Sequence, residues 1–258
     1  MSNYERNNTM IACIIAFIIV GGVAVGTIYL LGSYNWDFNP IFPPMDWNVG
    51  EQFEFSLNDS SMPATTTLNI DVSAGGIRVV FVNDAELLYD ISMWVPNSTL
   101  VMHGDPEVTY SAGTIGLNYP AGEVNVTLGT GTKYLLDLTA TTGGVDVSLA
   151  NNASIGDVTV QVTTGGISLG VSNDIRVSGD VTFNLDTSTG GITVETVLPS
   201  NVAGQFRGGS STGHVDVTAS GWNEITSSYY ETSGFSTATD RIYISADTTT
   251  GGVTATLS

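Results

Sequence analysis

Side chains able to do acid–base or metal chemistry are few in this sequence, and they stand far apart. There are two histidines, His103 and His214, and neither has a partner at the spacing of a metal site or a hydrolytic triad. The many serines and threonines have no neighbouring base to activate one of them as a nucleophile. A lyase acting on acidic glycans would need basic groups to stabilise the developing anion. Arg176, Arg207 and Arg241 are scattered, and Lys133 is the only lysine. No catalytic and no cofactor-binding residue is assigned, and the chain reads as a non-enzyme. Aspartates come closest to a site. Asp157 and Asp180 head two similar segments, Gly156-Asp157-Val158-Thr159-Val160 and Gly179-Asp180-Val181-Thr182-Phe183. If these segments stack, the two carboxylates repel unless they are hydrated or bridged by a hard cation such as calcium. Asp157 and Asp180 are therefore the weak metal candidates, with no calcium-loop consensus around them. Asp146 and Asp216 share a position just after their glycines. Solvated, outward-facing aspartates are the plainer account of all four.

The elements that position these residues announce themselves through one phrase. Two small residues, a Gly-Gly pair or a close substitute, and an alternating apolar run recur seven times. The copies begin at Ser73-Ala74-Gly75-Gly76-Ile77, Ser111-Ala112-Gly113-Thr114-Ile115 and Thr141-Thr142-Gly143-Gly144-Val145. They continue at Thr163-Thr164-Gly165-Gly166-Ile167, Ser188-Thr189-Gly190-Gly191-Ile192, Ser211-Thr212-Gly213-His214-Val215 and Thr249-Thr250-Gly251-Gly252-Val253. Successive first glycines are 38, 30, 22, 25, 23 and 38 residues apart. The middle spacings match one turn of a repeat fold, and the outer ones imply inserted loops or an extra turn. Alternation after the glycines, as in Val145, Val147 and Leu149, marks half-buried strands. Gly75, Gly76, Gly143, Gly144, Gly165, Gly166, Gly190, Gly191, Gly213, Gly251 and Gly252 are then the corner residues, because glycine turns sharply without a Cβ clash. The pattern predicts an all-β fold, a right-handed β-helix or solenoid over residues 64–258, preceded by one transmembrane helix. The competing arrangement makes each Gly-Gly a hairpin turn in an antiparallel sandwich. Leu87 to Val95 and Ser98 to Met102 read as two strands around a Pro96-Asn97 turn.

The N-terminal region is different in kind. Residues 10–32 are nearly uniformly apolar, and 23 residues as a helix span about 34 Å, enough for a bilayer core. They read as an uncleaved signal anchor behind a cytoplasmic tail, residues 1–9, with a removed signal peptide as the alternative. Arg6 precedes the span and no basic residue follows before Arg78, which places the C-terminal domain outside. Gly22 and Gly26 have the small-xxx-small spacing of packed membrane helices. Cys13 opens the apolar run rather than following it, unlike a lipidated cysteine. Residues 33–63 form an expected aromatic and proline-rich stalk, with Tyr34, Trp36, Phe38, Phe42 and Trp47 suited to the membrane interface.

Net charge is −19, from 25 acidic and 6 basic residues. That excludes nucleic acid as a partner, since phosphates need a basic stripe. Asn58, Asn97, Asn125 and Asn152 head glycosylation sequons outside the membrane.

Repeated Thr-Gly-Gly-Ile/Val phrases behind a membrane anchor resemble the adhesin-type β-solenoid surface domains catalogued as auto-transporter adhesin heads. The resemblance covers about residues 64–258. It implies a right-handed β-helix with no established activity, and the N-terminal span departs from the secreted or lipid-anchored members. The expected function is a membrane-tethered, cell-surface structural or adhesin-like protein. Its expected partners are the lipid bilayer, glycans, envelope components or other surface proteins, with end-to-end self-association through a last repeat that lacks a polar cap. The alternative is the ectodomain of an envelope sensing complex acting through a membrane partner.

Overall fold

A computed structural model describes residues 49–258. The expected tail at 1–9, the apolar run 10–32 with Gly22 and Gly26, and residues 33–48 of the stalk lie outside the described residues. Among the described residues no helix is long and apolar enough to cross a membrane. The transmembrane helix of the expected fold thus has no counterpart there.

Among the described residues strand β1 (Gly50–Asn58) comes first, and it lies inside the segment expected to be stalk. The first corner joins β2 (Thr65–Ala74) to β3 (Ile77–Phe81), and β4 (Leu87–Pro96) follows. Pro96 then starts a short helix, α1 (Asn97–His103), which ends where Gly104 adopts φ 76° and donates its N–H to the Leu100 carbonyl at 2.8 Å. The strand expected at 98–102 is therefore helical. A proline before the first turn and a left-handed glycine after the last outweigh the residues' β preference. Next come β5 (Thr109–Ser111), β6 (Thr114–Ala121), β7 (Glu123–Leu128), β8 (Lys133–Thr142) and β9 (Val145–Leu149). β10 (Ser154–Thr164) and β11 (Ile167–Val171), the two-residue β12 (Arg176–Val177), and β13 (Asp180–Thr189) with β14 (Ile192–Thr196) continue the series. The chain closes with β15 (Val202–Thr212), β16 (Val215–Ala219), β17 (Trp222–Thr226), β18 (Tyr229–Thr232), β19 (Asp240–Thr250) and β20 (Val253–Leu257).

Two large mixed sheets result, not the expected right-handed β-helix, and no closed solenoid winds through the described residues. Sheet one runs β1-β4-β7-β3-β9-β11-β14-β20-β16. Sheet two runs β17-β18-β15-β19-β13-β10-β8-β2-β6-β5, with β12 beside β10. Seven rungs cross from sheet two to sheet one through a glycine corner: β2/β3, β6/β7, β8/β9, β10/β11, β13/β14, β15/β16 and β19/β20. Within each sheet the rung strands pair in parallel, for example Ile167 opposite Val145 and Ile192. Their order in space is second, first, third, fourth, fifth, seventh, sixth. A β-helix needs each turn to stack on its neighbour in sequence. Here the two widest gaps carry antiparallel strands instead, and the rung order reverses at both places. β4 leaves the first rung and pairs antiparallel with β7 and β1. β17 and β18 leave the sixth rung and fold back on β15.

The second phrase, at Ser111, is not a corner. Ala112 (φ 50°) and Gly113 (φ 78°) form the turn between the antiparallel strands β5 and β6. The second rung turns instead at Ala121-Gly122-Glu123.

Alternation explains the core. In β2, Leu68, Ile70 and Val72 are fully buried while Asn69 and Ser73 face water. In sheet one, Val124, Ile77, Val145, Ile167, Ile192 and Val253 stand in one inward row and are at most 2% exposed. Each such side chain contributes about 1.5–3 kcal/mol by leaving water. The row Ile70, Leu138, Val160, Leu185 and Ala246 in sheet two ends at Gly208, and the terminal rung also carries Gly204 inward. A Cβ at Gly204 would lie 2.3 Å from the Trp222 ring and 2.5 Å from Leu198. Gly204 lets Trp222 and Leu198 fold over the end of the core, and Gly208 makes room for Val215 and Phe206, which makes the sixth rung a cap. The seventh rung consequently sits inside it. Arg241 fixes that position, donating to both Asp180 carboxylate oxygens at 2.7 and 2.8 Å and lying over the Phe235 and Tyr243 rings.

Candidate functional site

The corners form one continuous face along the stack. First glycines line up as Gly122, Gly75, Gly143, Gly165, Gly190, Gly251 and Gly213. Six of the seven have φ between 130° and 150°, a region closed to side chains. A Cβ on Gly165 would lie 1.5 Å from the Gly143 carbonyl oxygen, and one on Gly143 would lie 1.6 Å from that of Gly75. Corner backbone groups pair from rung to rung: Gly165 N–H donates to Thr189 at 2.8 Å and Ile167 N–H donates to Gly191 at 3.0 Å. Thr187, Thr248 and Ser210, in register with one another, donate hydroxyls to the carbonyls of Gly165, Gly190 and Gly251.

A second row runs beside the first: Glu123, Gly76, Gly144, Gly166, Gly191, Gly252 and His214. Its glycines are not forced. A Cβ on Gly76, Gly144, Gly166 or Gly191 would meet its nearest atom at 3.5–3.7 Å, ordinary van der Waals contact. At Gly252 the His214 ring lies closer, at 3.3 Å. Glu123 and His214 show that the position accepts side chains. The bare backbone of four of these glycines, Gly76, Gly144, Gly166 and Gly191, makes the floor of an open groove of about 580 Å³ that begins at Glu123. Its outer wall is a polar row in register, Asn125, Arg78, Asp146, Ser168 and Thr193. Arg78 Nε is 3.5 Å from Asp146 Oδ2, and His214 Nε2 is 3.2 Å from Asp216 Oδ2. Both pairs are largely exposed and contribute little to stability. Two of the expected aspartates are thus engaged by a base on a neighbouring residue or rung.

On the sheet-two flank lies a second groove of about 480 Å³, lined by hydroxyls of Thr163, Ser188, Ser211 and Thr249 with Gln161, Asp186 and Asp247. Asp186 and Asp247 are direct neighbours in the ladder. Burial, and then the Asp247 charge, push the Asp186 carboxyl above its ordinary range. Gly209 gives Asp247 its space, since a Cβ there would lie 2.1 Å from Oδ1. Sequence reasoning missed this pair and Glu123. The signal was present: Gly122-Glu123-Val124-Asn125-Val126 repeats the glycine-then-alternation pattern of the other corners.

Asp157 and Asp180 do not stack. Val158 pairs with Phe183, so Asp157 lies opposite Thr182, whose N–H it accepts at 2.8 Å. Asp180 lies opposite Arg241 and is held by it. The 25-residue spacing of Gly165 and Gly190 sets this register, and an irregularity in β10 between Ile155 and Val158 takes up the difference from the 23-residue segment repeat. Among the described residues no group of three or more His, Cys, Asp or Glu could hold a metal ion. His103 lines a separate polar cleft of about 500 Å³ with Asp105, Glu107, Asn69 and Asn118.

The sequence matches no protein-family model and no curated protein. Among solved structures, the chain is similar to a candidate cell adhesion protein from Clostridium sporogenes, with TM-score 0.65 and 17% identity over 81% of this chain and 100% of that one. Candidate adhesins from Bacteroides fragilis (TM-score 0.30, 10% identity) and Parabacteroides merdae (TM-score 0.22, 8% identity) align over 81% of this chain and 97% and 96% of theirs. The described residues share the fold of the Clostridium sporogenes protein.

Proposed function

We propose that this is a non-catalytic, adhesin-like protein exposed at the cell surface, binding neutral or weakly polar polymers such as glycans along its corner face. The observation that carries the reading is the groove along five of the seven corners, with a bare-backbone floor and a wall of amide, hydroxyl and paired charges. The likeness of fold to a candidate cell adhesion protein, spanning that whole chain, supports it. Hydroxyl and amide groups spaced about 4.8 Å apart offer repeated hydrogen bonds to a repeating ligand, each weak and together adhesive. Attachment to the membrane through the apolar residues 10–32 belongs to the same reading and rests on their sequence alone. A glycan and whole-cell binding screen with the detergent-solubilised full chain tests it. Binding that falls at least tenfold when Gly144 and Gly166 are both changed to Gln, with unfolding unchanged, is the expected result. Absence of binding to glycans and cells, or binding indifferent to the filled groove, would sink it.

A further inference from the structure

Sheet one stops differently from sheet two at each end of the stack. Beyond the second rung, sheet one extends by β4 and β1, while sheet two extends only by the three-residue β5. Beyond the sixth rung, sheet two extends by β18 and β17, and sheet one by nothing. Among the described residues, β1 and β16 are the unpaired edges of sheet one, and the two steps fit one another when the three-residue β5 gives up its edge to β17 of the next copy, since β18, β17 and β5 together are one strand more than β4 and β1 and only nine strands of sheet two match the nine of sheet one.

Strand direction agrees. β4 is antiparallel to β7, and β1 is antiparallel to β4, so β1 runs in the same direction as the parallel rungs and as β16. Backbone phase agrees as well. Val253 donates to the His214 carbonyl and Ser220 donates to the Leu257 carbonyl, so the backbone groups of Val215, Val217 and Ala219 point away from the molecule. Asn97 donates to the Val49 carbonyl, which by antiparallel alternation turns Phe53, Phe55 and Leu57 toward β4 and leaves Gln52, Glu54 and Ser56 pointing outward. A parallel pair sets a residue that points at its partner strand opposite one that points away. Val215, Val217 and Ala219 of one copy therefore fit opposite Phe53, Phe55 and Leu57 of another.

Side chains complete the match. Phe53, Phe55 and Leu57, and Val215 and Val217, lie against the core but are only partly buried, whereas the same inward row is buried in every rung between them. The missing cover for each edge is what the opposite edge supplies.

We infer that β16 of one copy pairs in parallel with β1 of a second copy, joining molecules head to tail so that sheet one continues from copy to copy. Such a heterologous contact propagates into a filament rather than closing into a two-fold dimer. Nine strands per copy give an axial repeat of about 43 Å at about 4.8 Å per strand. A five-residue edge is smaller than the roughly 1,200–2,000 Å² interface of a stable complex, so each contact is weak and forms at high local concentration. Asp216 falls opposite Glu54 in this register, and both are exposed. Salt screens that repulsion and strengthens the association.

The test uses the full chain in detergent micelles, followed by sedimentation and electron microscopy. Mass should rise with protein concentration and further between 0.05 and 0.5 M salt, on the scale of the Debye length, with filaments of about 43 Å repeat. Val217→Pro removes an outward N–H without touching the ladder to β20, and Phe55→Lys places an inward charge on the other edge. Each variant alone should stay at the monomer mass, and a mixture of the two should give about twice that mass and no more, because one intact end remains on each. Self-association of Phe55→Lys alone would mean a two-fold β16 contact and would overturn the proposal. Association surviving in both variants, or a wild-type monomer at every concentration and salt, would overturn it too.

Discussion

At the first glycine of a corner the backbone holds φ near +140° and a neighbouring carbonyl oxygen occupies the place of a Cβ, as at Gly165. At the second, one residue later in Gly166, a Cβ would sit at ordinary contact distance. The two rows are adjacent and made of the same residue for different reasons. The first is glycine because the chain cannot turn there otherwise. The second is glycine where the fold would accept more, as Glu123 and His214 demonstrate at the two ends. A repeated residue therefore marks a structural need in one row and open space in the other, and only the open space is available to a ligand.

Four measurements break or sharpen that contrast. Gly165→Ala should destabilise by about 4 kcal/mol or more, combining backbone strain with a clash against backbone, or should prevent folding altogether. Chemical denaturation would show it, and a loss under 1 kcal/mol would dissolve the distinction between the rows. Gly122→Ala tests a first-row glycine outside the positive-φ set, where the nearest atoms are Met93 Cε at 2.5 Å and the Trp94 carbonyl oxygen at 2.8 Å. Because methionine can shift and the carbonyl cannot, its cost should be intermediate, about 1–3 kcal/mol in the same assay. Gly166→Ala should lie within about 0.5 kcal/mol of the parent, or gain slightly through a stiffer unfolded chain. A large loss there would show that the second row is structural after all. The smallest effect is expected on the other flank, at Asp186. Its folded pKa is raised, so ionisation opposes folding at neutral pH, and that opposition disappears as pH falls through the folded pKa toward the ordinary carboxylate value. Asp186→Asn should raise the urea midpoint at pH 7, with the gain shrinking toward pH 4. An equal gain at both pH values would assign the effect to something other than charge.

How much of this was legible follows from the range of the forces involved. Inward rows such as Val145, Val147 and Leu149, and the corners beside them, are local patterns, and they read directly. Ser111-Ala112-Gly113 misled because a hairpin turn and a corner both call for a glycine at positive φ, and only distant pairing tells them apart. Rung order was hidden for a related reason: Ile192 could stack equally well on Val215 or Val253, since every rung offers the same edge. The clue lay in Gly204 and Gly208, inward positions without side chains, which make sense only at an end. Phe53, Phe55 and Leu57 alternate plainly, but the aromatic and proline-rich composition just upstream suggested a stalk. The shared register of Asp157 and Asp180 failed because two landmarks of slightly different period cannot both be kept, and the glycine corner fixed the ladder.

The seventh rung lies between the fifth and the sixth although it is made after both. During synthesis residues 240–258 emerge last, so the pairings of β19/β20 with β13/β14 on one side and β15/β16 on the other cannot form before then. Completion of the fold is thereby tied to the arrival of that segment. A chain interrupted before it would present two open sheet edges and an exposed core, a state that aggregates or is degraded rather than displayed.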